Sequence, residues 1–370
     1  MNTADPVRVV RPALRVPFDS AASPHSDEVD GRVVEWALHA GLAPEERTAP
    51  LRRSRLGLLA GRTHPRADVD TVTDVAVWYA WLAIFDGYCD EPATVRDPVR
   101  FGAHLIRLLR VLESDTSRAS LPDGADAAGG TLAPGGALAA DGALASGGIP
   151  AAAGGFPATG GVPDGVVAGD GWSRAADPFA AALADLRDRV RARATADQMR
   201  RLALSVHGYF MGLLWEGGHR RLGEGSVSFE DYRYIRRHAG GVPTWLMLME
   251  IFGGNRPSPG DLAHPDMVAL STRIADVLTW QNDIVSYRAE LASGVRVLSL
   301  PTVLGRERGL PEQRALEAAA DLLTIELDGY LAAEGRVLDW AGPALTGYVA
   351  DLRDLVAGCL TWHLETGRYS

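Results

Sequence analysis

Asn282, Ser286 and Glu290 stand four residues apart in the run Asn-Asp-Ile-Val-Ser-Tyr-Arg-Ala-Glu. On an α-helix, at about 100° per residue, this spacing stacks them in one row that drifts by about 40° per step. An amide oxygen, a hydroxyl and a carboxylate then point the same way. Such an all-oxygen donor set suits a hard cation such as Mg²⁺ and suits Zn²⁺ poorly. The same residue types also describe a solvated helix face, and spacing alone leaves both readings open.

Roughly two hundred residues upstream, an apolar stretch from Val75 to Phe85 runs straight into Asp86, Gly87, Tyr88, Cys89, Asp90 and Glu91. Asp86 and Asp90 are again four apart, so both carboxylates share one helix face at the end of a buried segment. Carboxylates placed there are costly unless paired or bound to metal. The plainer alternative is a helix that surfaces and stops before Pro92.

Composition removes several other chemistries. The net charge of −10 argues against a nucleic-acid partner, which calls for a basic face. All 37 basic residues are arginine. A chain without lysine has neither a P-loop nor a lysine Schiff base. The nine histidines are scattered with no His-Glu-x-x-His pair, and Cys89 and Cys359 are two isolated thiols. Neither set makes a zinc site or a disulfide framework. No stretch of about twenty apolar residues occurs and the N-terminus lacks a signal-peptide core, so the expectation is a soluble, cytoplasmic protein without a membrane span.

The elements that must position these residues are helical. Residues 1–25, rich in Pro and polar groups, are expected to form a flexible arm. Helical periodicity then recurs from about Asp27 to Leu59, from Asp68 to Asp90, from Pro98 to Glu113, and with breaks from Ala175 to Leu364. Strand-like alternation is scarce. Between Leu121 and Trp172 lie 15 Gly and 14 Ala among 52 residues, which predicts a disordered insertion at about 115–173. The Asp motif precedes this insertion and the Asn motif follows it, so a shared site requires a single domain over 26–370. The fold expected is all-α, an antiparallel helical bundle around a central apolar cavity.

Taken together and in this order, these motifs resemble class I terpene synthases of the bacterial type. The likeness includes Val34-Glu35-Trp36, His64-Pro65 and Ala67, Trp215-Glu216, Tyr232 to Gly241, and the tail from Tyr348 to Tyr369. It implies that Asp86 and Asp90 hold two Mg²⁺ ions and that Asn282, Ser286 and Glu290 hold a third. Arg368 and Tyr369 of the tail would bind diphosphate. The family's diphosphate-sensing arginine is expected 46 positions before the triad's Asn, which selects Arg236, with Arg237 as an adjacent rival. Ala239 and Gly240 would be its linker and effector. Phe85, directly before Asp86, is expected at the metal end of the substrate cavity.

The implied reaction is Mg²⁺-dependent ionisation and cyclisation of a prenyl diphosphate, farnesyl diphosphate first and geranylgeranyl diphosphate as the alternative. A homodimer is compatible with this reading. Gly87 stands where the family's motif usually carries a second acid, and Ala289 where a basic residue is common. Those departures keep open a third reading, an inactive helical protein that binds hydrophobic ligands. A chain-elongating prenyl synthase fits less well, since it would carry two aspartate-rich motifs and lysines on the diphosphates.

Overall fold

The computed structural model describes residues 9–45, 48–91, 94, 97–114, 177–222, 227–293 and 298–369. Among these are fourteen α-helices and no strand. The insertion expected at about 115–173 lies outside the described residues.

The first half contains α1 (Ser26–His39), α2 (Thr48–Ser54), α3 (Leu56–Thr63), α4 (Val69–Asp90) and α5 (Pro98–Glu113). Beyond the insertion come α6 (Pro178–Arg191), α7 (Ala196–Leu222), α8 (Phe229–Ala239), α9 (Val242–Phe252) and α10 (Pro259–Ala263). The last four are α11 (Pro265–Ser293), α12 (Leu300–Arg308), α13 (Glu312–Leu338) and α14 (Pro343–Glu365), followed by a 3₁₀ turn, Gly367–Tyr369.

Local chemistry sets the boundaries. Asp68 caps α4 by accepting the Thr71 N–H at 2.7 Å. Asp97 and Asp177 cap α5 and α6 in the same way, each followed by a proline whose missing N–H costs nothing in the first turn. α4 is the central element. It is apolar on nearly every face and packs against α1, α3, α6, α7 and α9. α11, at 29 residues about 44 Å long, lies against α13 and also meets α8, α9 and α14.

Two features frame the site. α8 ends at Gly240, and Gly241 adopts a left-handed conformation (φ +69°) from which α9 starts with Pro243 in its first turn. Glycine adopts that backbone without the Cβ clash other residues meet. The described part of the N-terminal segment, residues 9–25, has no helix and lies on the bundle. Val10 N–H donates to Gln313 Oε1 at 2.8 Å, Arg15 pairs with Asp328, and the Phe18 ring meets Tyr330 edge-on at 5.8 Å.

Candidate active site

The row expected on α11 is present. Ser286 Oγ lies 2.5 Å from Glu290 Oε1 and 2.8 Å from the Asn282 carbonyl oxygen, so the three residues follow one another along one face. Glu290 is buried, and its carboxyl is pushed up to about 8 by that burial and by the charges of Asp283 and Asp90. Neighbouring acids disfavour its ionisation, and a divalent cation would relieve the conflict.

Asp86 of α4 faces Asn282 of α11 across a cavity of about 110 Å³. Arg236, Gly240 and Arg368 line the same cavity, whereas Tyr369 is described in its backbone only. Among the described residues no three His, Cys, Asp or Glu side chains form a ready-made cage. Of the α11 row only Asn282 borders the cavity, and an ion held between it and Asp86 would take few protein ligands and fill its shell with water and phosphate oxygens. Mg²⁺ characteristically accepts that arrangement, and zinc does not.

The two adjacent arginines divide their work. Arg236 Nη2 donates to Asn282 Oδ1 at 3.0 Å and to Asp283 Oδ1 at 2.7 Å, and its Nε reaches the same Asp283 oxygen at 3.0 Å. Arg237 turns the other way, onto both oxygens of the buried Asp276, where Arg233 also binds. The 100° between neighbouring helix positions produces this split. Arg236 borders the cavity, and Arg237 ties α8 to α11.

Asp283 was assigned no role from the sequence, yet it holds this corner together. Besides Arg236 it accepts the Tyr232 hydroxyl and, at 2.8 Å, the N–H of Leu300 at the start of α12. Three elements thus converge on one buried carboxylate. The available signal was its place beside Asn282, on the face turned toward the bundle. Glu216 of α7 is a further acid near the site, close enough to act on the charges of Arg236, Tyr209 and Tyr232.

His363 was also missed. It lines the cavity, and its Nδ1 lies 2.7 Å from Gln281 Oε1, while Gln281 Nε2 donates to the Leu360 carbonyl at 3.2 Å. An amide oxygen only accepts, so Nδ1 carries the ring proton. Burial, then Arg368 and Arg236, lower its pKa to about 3, which keeps the ring neutral.

Phe85 is not where the sequence placed it. The ring is fully buried behind α4, stacked on Trp81 at 4.7 Å and packed against Phe179 and Phe210 at 5.1 and 5.5 Å. One residue along a helix is a 100° turn, and the turn that brings Asp86 to the cavity carries Phe85 away from it. Among the larger aromatics, Tyr79, Tyr209, Trp245 and Trp362 line the cavity, and Trp78, Trp81, Phe85, Phe210 and Trp280 are buried elsewhere in the core.

Comparison with known proteins agrees with this geometry. Residues 166–328 match the family model "terpene synthase family 2, C-terminal metal binding". A 4-epi-cubebol synthase that cyclises farnesyl diphosphate, from Streptosporangium roseum, is 25% identical over 97% of this chain and 92% of its own. A (+)-T-muurolol synthase from Roseiflexus castenholzii, also farnesyl diphosphate cyclising, is 28% identical over 97% and 94%. A labdatriene synthase from Streptomyces anulatus is 27% identical over 100% and 99%. Among solved structures, a variant of the reconstructed ancestral protein SVS_A2 superposes with a TM-score of 0.74 at 25% identity, covering 96% of this chain and 89% of that one. The α-eudesmol synthase structure gives 0.72 at 20% identity, covering 96% and 99%.

Proposed function

This chain is a class I terpene synthase of the bacterial type, and from that premise we propose that it converts farnesyl diphosphate, with Mg²⁺, to a cyclic sesquiterpene and free diphosphate. The observation that carries this reading is the convergence of Asp86, Arg236, Asn282 and Arg368 on one aromatic-walled cavity. Bound Mg²⁺ ions, held by Asp86 with Asp90 on one side and by Asn282, Ser286 and Glu290 on the other, would supply Lewis-acid stabilisation of the leaving diphosphate.

The chain's own residues do the rest. Arg236 and Arg368 offer guanidinium forks to phosphate oxygens, and Asp283 fixes the Arg236 end of that clamp. Arg236 holds Asn282 as well, so an arriving diphosphate competes for the same guanidinium and releases the amide oxygen. Tyr79, Tyr209, Trp245 and Trp362 line the space the allylic cation would occupy and would exclude water from it. The two farnesyl diphosphate-cyclising relatives support the C15 chain over C20.

Incubation with C10, C15 and C20 diphosphates and Mg²⁺, with diphosphate and extracted hydrocarbons measured separately, tests the proposal. The expected result is a cyclic product from the C15 substrate and none in EDTA. Conversion of the C20 substrate alone would move the assignment to a diterpene synthase. Release of diphosphate from none of the three would leave only the ligand-binding reading.

A further inference from the structure

We propose that Tyr79, Thr63 and His64 form a proton relay at the deep end of the cavity, which takes the proton from the final carbocation and so terminates the reaction as an olefin. The inference rests on the cyclase reading above and adds the proton acceptor. Tyr79 lines the cavity two turns before Asp86 on α4, about 10 Å farther from the metal end. Its ring is held against Trp245 of α9, with centroids 4.7 Å apart.

Behind Tyr79 the polar groups continue inward. The phenol oxygen is 3.4 Å from Thr63 Oγ1, and Thr63 Oγ1 is 2.9 Å from His64 Nδ1 and 3.1 Å from the Ala60 carbonyl oxygen. All three side chains are buried, at 2%, 0% and 5% exposure. His64 Nε2 is buried with no hydrogen-bond partner among the described residues. An unsatisfied buried polar atom carries a desolvation cost, which an apolar side chain at this position would avoid.

The transfer balances as follows. The C–H bond next to the cationic carbon breaks, its electron pair becomes the C=C bond, and the proton goes to the Tyr79 oxygen. The Tyr79 O–H proton passes to Thr63 Oγ1, and the Thr63 proton passes to His64 Nδ1, with the resting ring proton on Nε2. Phenol and hydroxyl are restored and His64 becomes imidazolium. Its new Nδ1–H meets Thr63 Oγ1, and the Ala60 carbonyl favours the charged ring. Burial holds His64 down to about 4, and the C–H bond beside a carbocation is a far stronger acid than the imidazolium formed. Diphosphate, the other available base, would lie at the opposite end beside Arg236 and Arg368, so the two acceptors would take protons from different parts of the folded substrate chain.

The test measures each terpene product as a fraction of the diphosphate released in the same reaction, for wild type, Tyr79→Phe, Thr63→Val, Thr63→Ser and His64→Phe. Wild type should give mainly an olefin. In Tyr79→Phe, Thr63→Val and His64→Phe the fraction ending as that olefin should fall about tenfold or more, with isomeric olefins and alcohols replacing it. Thr63→Ser, which keeps the hydroxyl, should restore it. An alcohol as the main wild-type product, an unchanged profile in Tyr79→Phe and Thr63→Val, a Thr63→Ser profile like that of Thr63→Val, or loss of diphosphate release itself in both Tyr79→Phe and Thr63→Val would each overturn the relay. Failure of the wild-type protein to release diphosphate from any substrate is read separately, and overturns the cyclase reading beneath it.

Discussion

Asp86 and Phe85 are neighbours in sequence and belong to different functions. Asp86 looks into the cavity, so Asp86→Ala should lower turnover at least about a hundredfold, as should Glu290→Ala two turns beyond Asn282 on α11, with far-UV circular dichroism unchanged. Near-normal rates in either variant would refute the ligand assignment. Phe85 sits in the aromatic cluster behind α4, and Phe85→Leu should cost stability, about 1 kcal/mol or more, while the product profile stays as in wild type. A changed profile at normal stability would return Phe85 to the cavity wall.

At the scale of elements, the decisive contact is between the end of α8 and the middle of α11. A Cβ built on Gly240 would lie 2.4 Å from Thr279 Cγ2 and 3.1 Å from the Arg236 carbonyl oxygen. Thr279 has little freedom to yield, because its hydroxyl donates to the Ala275 carbonyl at 2.7 Å. Gly240→Ala should therefore wedge α8 from α11, loosen the hold of Arg236 on Asn282, and lower kcat/KM about tenfold or more. Steady-state kinetics with the C15 substrate would check this. Wild-type kinetics would show that the close approach has no part in substrate handling.

At the scale of the whole molecule, burial decides how stability responds to acid. His64 and His363 are held down to about 4 and about 3. Both folded values lie below the unfolded value of about 6.5, so between them the unfolded chain binds more protons. The stability of these groups is complete above about pH 6.5 and declines as pH falls toward 4 and 3. At pH 5 each loses on the order of 2 kcal/mol. Glu290, raised to about 8 by burial, works in the opposite direction over the same window. The clean measurement is therefore a difference: the urea midpoint of His363→Gln should fall less than that of wild type between pH 6.5 and 5. Equal falls would show that His363 is not held neutral.

Much of this protein was legible from sequence because helices repeat. A spacing of four residues placed Asn282, Ser286 and Glu290 in one row, and placed Asp86 and Asp90 on one face, before any tertiary contact was known. Helical periodicity and the scarcity of alternation marked the chain as all-α. The ordered set of motifs marked the family. Periodicity states which residues share a helix face. It does not state which way that face turns. Whether Phe85 or Tyr79 meets the cavity, whether Arg236 or Arg237 borders it, and that Asp283 joins α8, α11 and α12 all depend on the rotation of each helix about its axis. That rotation is set by packing against neighbours far away in the chain, such as α4 against α7 and α9. Tyr79 comes within reach of Thr63 only through the packing of α4 on α3, and no local pattern announced it.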